Sequence, residues 1–159
     1  MTPSCTVRKL WPFGYVREIP RETGPYLTRY SLREQKPDAG GGLRAYFHRF
    51  WDRDYETHNH PWRWSFSIVL TGSYTETYFD TQWLPVSKMW WTSETKTRRV
   101  RWFNWIPSTR FHEITELHGN VRTLFFAGPL HGKSWGFWVP GRGPVPHKQR
   151  KQERGLPTL

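Results

Sequence analysis

The sequence predicts an all-β protein, an antiparallel sandwich or barrel. Three observations lead there. From Leu43 onward, short aromatic or β-branched runs follow one another: "LRAYFHRFWD", "WSFSIVLTGSYTETYF", "KMWWTS", "RRVRWFNWI" and "VRTLFFAG". Turn signals at Gly72, Pro85, Pro107, Gly119-Asn120 and Gly128-Pro129 separate them. No segment holds a helical period over about a dozen residues.

Taken in order, residues 1–42 are rich in Pro, Gly and charge and read as an irregular or strand-like arm. Within it "YLTRYSLREQ" fits a strand or a short helix, and "PDAGGG" is a flexible turn. Residues 43–139 carry this sandwich or barrel. In "WSFSIVLTG" the even positions Trp64, Phe66, Ile68 and Leu70 are large and apolar. Ser65, Ser67, Val69 and Thr71 are smaller or polar. Such a strand is expected to pack its large face in the core and to line a cavity with the other. Residues 140–159 have no apolar pattern and carry five Lys or Arg against one Glu, so a basic, flexible tail is expected.

At 159 residues the chain suffices for one domain with a real core. Aromatic residues make up 18% of it, 11 of them Trp, so few and large side chains build that core. The net charge is +11 and Arg outnumbers Lys 17 to 7, which suits anionic partners as well as plain solubility. The single cysteine, Cys5, excludes an internal disulfide and a zinc site built on cysteines. No signal-peptide pattern opens the chain, and no window approaches the roughly 20 apolar residues of a membrane span. A soluble, cytoplasmic protein is expected.

The chemistry concentrates in "YETHNHPWRW". On an extended segment His58 and His60 face one side, with Cα atoms roughly 6.5 Å apart, and two such imidazoles can converge on one metal ion. The best third ligand is His112, after the turn at Pro107; His48 and His118 are weaker candidates. Glu56, two residues before His58, is a candidate to orient a ligand histidine or to act as a fourth ligand. Asp52 and Asp54 read as a solvated loop; Glu76, past the turn at Gly72, is a further carboxylate candidate for the site but is expected to be solvent-exposed. Arg44, Arg63, Arg110 and Arg122 are candidate clamps for a carboxylate or phosphate. Tyr46, Tyr74 and Tyr78 are candidate proton donors near a metal. Glu56, Arg63 and Tyr74 head the catalytic candidates. Trp62, Trp64, Trp102 and Trp105 are expected in the core or a cavity wall.

These residues resemble the two signature motifs of the cupin superfamily. His58, His60 and Gly72 match the first, His-x-His followed by Glu and Gly; Pro107 and His112 match the second. The roughly thirty residues between the motifs is a spacing common in the family. The resemblance covers about residues 43–128 and implies a small, single antiparallel β-barrel of the jelly-roll type with a metal inside. The sequence departs from the family pattern at three places. Ser65 stands at the Glu position, Thr109 at the second motif's Gly and Glu116 at its Asn. The site that the resemblance implies is thus reduced to three histidines, which resembles the thiol dioxygenase branch. The "HNHPW" segment with the late "WGFW" also looks like small cupin-like proteins of bacteria and their phages.

The resemblance implies a metal-dependent enzyme acting on a small, anionic substrate, with oxygenase-type chemistry on Fe(II) first and isomerase-type chemistry second. Zn, Mn and Ni suit imidazole ligands equally. The alternative is a nucleic-acid or nucleotide-binding module without turnover, resting on charge alone. A third is a cupin-fold interaction protein with vestigial histidines. A homodimer is compatible with each.

Overall fold

Two long strands carry the architecture. A computed structural model of the chain describes residues 6–10, 14–21, 24–32, 42–131 and 135–153. Within it, β1 (Thr6–Leu10), β2 (Gly14–Arg21), β3 (Gly24–Ser31) and β4 (Arg44–Phe50) form an antiparallel meander. Then come β5 (Trp64–Leu84), β6 (Met89–Thr92), β7 (Lys96–Val100), β8 (Phe103–Pro107) and β9 (Arg110–Ala127). The pairing path runs β1-β2-β3-β4-β9-β5-β6, with β7 and β8 also on β5, and all pairs are antiparallel. A separate ribbon joins β10 (Gly136–Val139) to β11 (Gly143–Pro146), and the helix α1 (His147–Glu153) follows. The all-β, antiparallel expectation holds. "YLTRYS" within the ambiguous arm segment is strand; "PDAGG" lies outside the described residues.

Gly72 and Gly119 do not reverse the chain as expected. Both sit inside strands, at positive φ (67° and 79°). The β5–β9 register shifts between Val69 and Thr71, between Thr71 and Ser73, and between Thr75 and Glu76. Such bulges bend a strand and change which side chains share a face. A Cβ on Gly72 would lie 2.9 Å from the His118 carbonyl oxygen, so the close approach of the two strands needs a glycine there.

The two faces of β5 are the reverse of the sequence reading. Ser65, Ser67 and Val69 are buried at 0%, 4% and 7% exposure, while Ile68 and Leu70 are 39% and 47% exposed. The small side chains share the inner face with Tyr74, Val100, Ile114 and Val121, whose bulk fills the space. A second cluster joins Tyr46, Trp62, Ile106, Phe125 and Ala127 beside the histidines. Burying each large apolar side chain contributes about 1.5–3 kcal/mol. Trp102 and Trp105, expected in the core, are 77% and 50% exposed. Parity explains Trp105: on β8, Asn104 and Ile106 are buried, so it faces outward.

The stretch read as a flexible tail contains β11 and α1 as far as Glu153. Val145 is buried, and Arg150 reaches back across the molecule to Glu56 (2.6 Å).

A candidate metal centre

The segment holding His58 and His60 is stitched on both sides by backbone bonds. His58 and His112 exchange both N–H···O bonds at 2.9 Å, as a paired position in an antiparallel ladder does. On the other side the Asn59 N–H donates to Gly136 O (3.1 Å) and the Trp138 N–H to Thr57 O (2.8 Å). The Asn59 side-chain oxygen accepts from the Gly136 N–H (2.8 Å). Asp54, read as a solvated loop residue, caps this arrangement. Its carboxylate accepts from the Ile114 N–H at 2.8 Å.

This frame brings His58, His60 and His112 together. One ligand nitrogen from each lies within 4.8 Å of the others, the one such group of His, Cys, Asp or Glu among the described residues. The hydrogen bonds decide the tautomers. His58 Nδ1–H donates to the Glu56 carbonyl oxygen (3.0 Å) and His112 Nδ1–H to the Glu76 carboxylate (2.8 Å). Nε2 is therefore the nitrogen that each of these two rings can offer a metal. His60 Nε2 lies 2.9 Å from His112 Nε2. Burial lowers the His60 pKa well below the usual imidazole value, helped by the charges of His112, His58, Arg29 and His48. Burial also lowers that of His58, against the raising effect of Asp54. Three imidazoles within reach of one point fit a divalent metal ion, which takes its ligand nitrogens deprotonated.

Glu76 is the main correction to the expected site. It is fully buried instead of exposed. Its carboxylate accepts from His112, from Asn104 (2.7 Å) and from Arg98 (3.0 Å). Burial pushes its pKa up, but the His112 hydrogen bond and charge, with Asn104 and Arg98, hold it down at about 2. Arg98 also bonds Asn104. The buried anion is thus fully partnered, and it orients a ligand histidine through the ring nitrogen that the metal does not use. The sequence signal was present, a carboxylate past Gly72. Its facing depended on the bulge between Thr75 and Glu76.

The other candidates fall in different places. The Glu56 side chain is held by Arg150, and its backbone oxygen instead serves His58. The Tyr74 hydroxyl meets Ser67 (3.2 Å) and Asn104 (3.1 Å), and burial, then the Glu76 charge, raises its pKa to about 12. Arg63 is exposed, Arg44 is buried and Arg122 is half-buried. Arg110 forks onto Asp80 at 3.0 and 3.1 Å. Tyr46 stacks on His48, and Tyr78 lies under Arg98 and Arg110. Ser65 is buried and donates to Ile106 O (3.4 Å). His118 bonds Thr75 (2.8 Å), away from the trio. Sequence reasoning missed Arg29, which donates to the buried His48.

No protein-family model matches this sequence, and no curated protein does. Among solved structures, the chain is similar to a deletion mutant of Bacillus subtilis oxalate decarboxylase, with 17% identity and a TM-score of 0.48. It is similar to the same protein at pH 4.6, with 14% identity and a TM-score of 0.46. A third structure, described for its Mn(II) centres, gives 17% and 0.46. In each, the likeness covers 96% of this chain and 35% of the other, so the chain spans about a third of those proteins' length. In its antiparallel sheet, its His58-x-His60 pair and the His112 that meets them, the chain resembles the cupin superfamily.

Proposed function

We propose that this chain binds a divalent metal ion through His58, His60 and His112 and acts on a small anionic substrate beside it. One observation carries the reading: three imidazole nitrogens converge within 4.8 Å, two of the rings being fixed from behind by Glu56 O and Glu76. When bound, the metal supplies Lewis acidity and, as Fe(II), oxygenase-type chemistry. The chain's own groups do the rest. The Glu56 carbonyl and Glu76 orient the ligands, Asn104 and Arg98 hold Glu76, and the aromatic residues Trp62 and Phe125 limit water beside His60. Tyr74, through Asn104, supports that same network. Three histidines leave ligand positions for an anion, and Fe(II) is the first candidate over Zn, Mn and Ni.

Metal analysis of the purified full chain tests this. About one equivalent of a divalent ion is expected in the native protein and none in His58→Ala or His112→Ala. Equal metal in the native and variant proteins would sink the reading.

A second reading, nucleic-acid binding without turnover, draws on one surface feature. Trp102, Phe103 and Trp105 are 77%, 72% and 50% exposed, beside the exposed Arg99 and Arg101. Aromatic faces among cations suit single-stranded nucleic acid. Salt-dependent binding of an oligonucleotide, lost in Trp102→Ala, is its test. No helix among the described residues is long and apolar enough to cross a membrane.

A further inference from the structure

The outer face of the sheet carries two full rows of side chains without a charge. Residues paired directly across an antiparallel ladder point to the same side. One row runs Ala45, Phe126, Phe66 and Trp105, across β4, β9, β5 and β8. The next runs Tyr30, Phe47, Leu124, Ile68 and Phe103 and reaches β3 as well. Their chain neighbours Tyr46, Ser67, Asn104 and Phe125 are buried in the opposite, inner face, where Phe125 packs on His60. On the outer face Phe103, Trp105 and Ile68 are 72%, 50% and 39% exposed. Ala45 is exposed too, and the other five are half-buried.

The face ends differently at its two sides. Past Phe47 and Leu124 the next outward pair is Arg49 and Arg122, with Arg49 already lying 3.7 Å over the Trp51 ring. Past Phe66 comes Trp64, stacked on Phe66 and Trp105 at 6.2 and 5.7 Å. Its indole lies across Gly128, where a Cβ would come within 2.5 Å of it. One end is thus cationic and the other aromatic, and a guanidinium is attracted to an indole face. A two-fold axis along the rows sets Arg122 of each copy against the Trp64–Gly128 corner of its partner. Five strands about 4.8 Å apart and four rows about 6.7 Å apart make the face about 24 Å by 20 Å, or about 500 Å². That is near the upper end of what monomers expose, and two copies together cover about 1,000 Å², the area a specific interface needs. Nucleic acid fits these two rows less well, because its phosphates call for cations among the rings.

We propose that this face is the interface of a homodimer, covered by the same face of a second copy of this chain packed sheet on sheet. The pairing buries the two apolar rows of each copy and brings each cationic end to an aromatic one. It is independent of the metal-centre reading, because His60 lies on the inner side of the sheet.

Sedimentation equilibrium of the full chain tests this, with a dimer expected at concentrations up to about 100 µM. Phe103→Lys and Ile68→Lys should each weaken it about tenfold or more, because each buries a charge without a partner. Phe103 is exposed enough in one copy that its variant keeps the test valid should Ile68→Lys fold poorly. Arg122→Ala should weaken the dimer about threefold. Trp83→Lys, at a 45% exposed apolar site on the β5–β6 hairpin, should leave it intact. A monomer at every concentration overturns the proposal. So does a dimer that Phe103→Lys leaves intact, or one that Trp83→Lys disrupts as much. A single-stranded oligonucleotide is the counter-probe, since an added lysine opposes self-association but favours phosphate. A monomeric chain that binds it more tightly as Phe103→Lys gives the face to nucleic acid and overturns the dimer.

Discussion

At the scale of single residues, the site turns on what lies behind each imidazole. Glu76 holds His112 with a carboxylate that Asn104 and Arg98 also grip. Glu76→Gln can keep the shape but loses the charge that fixes the His112 tautomer. Metal affinity should fall about 10–100-fold, the usual effect of losing such an outer partner. Isothermal titration with Zn(II) measures it. A value equal to the native one would mean that His112 is oriented by its backbone bridge to His58 alone. The histidines were readable as a group because spacing two on an extended segment is a local property. Their carboxylate partner was not, since it lies diagonal to His112 across a ladder interrupted three times.

At the scale of elements, two devices position the ligands. The first is the bend at Gly72, where β5 and β9 cross closely. Gly72→Ala places a side chain at φ 67° against the His118 carbonyl. A loss of about 1–3 kcal/mol is expected in urea unfolding, from backbone strain and the clash together. The second device is the β10–β11 ribbon with α1. Gly136 and Trp138 hydrogen-bond the backbone around His58 and His60, and Arg150 holds Glu56. Ending the chain after Pro140 removes β11, the partner of β10. The thermal midpoint should then drop, by about 2–4 °C for each kcal/mol lost, and metal affinity should drop with it. A truncated protein with native midpoint and native affinity would restore the sequence's reading of an idle tail. That reading followed composition, and composition is blind to the ribbon, in which the Gly136 backbone approaches the Val145 carbonyl too closely for any side chain at position 136.

At the scale of the whole molecule, buried neutral histidine ties stability to pH. Burial, then the Arg29 charge, lowers the His48 pKa well below 6.5. The groups facing it are Arg29 on β3, Tyr46 on its own strand and His60 across Phe125. Above pH 6.5 His48 is neutral in both the folded and the unfolded chain, and its shift has no effect. Below it the unfolded chain takes a proton that the folded chain refuses. Stability therefore falls with pH from 6.5 downward, by up to about 1.4 kcal/mol per unit, until the lowered folded pKa is reached. Denaturant unfolding between pH 7 and 5 should show this fall added to that of the buried His58 and His60, and His48→Gln should make it shallower by His48's share. An identical slope in the variant would place the effect on other groups.

Strand content, antiparallel order and the three histidines were determined by the sequence itself. They rest on alternation, turn residues and short spacings, which act within a few positions. The tertiary structure alone decided which face of β5 looks inward, that Glu76 is buried behind His112, that Glu56 turns to Arg150 and that Arg29 is the arginine beside the site. The physical reason is parity. Side chains alternate with period two, so each bulge at Gly72 and Thr75 exchanges inside for outside, and no local pattern records how many bulges a strand has passed.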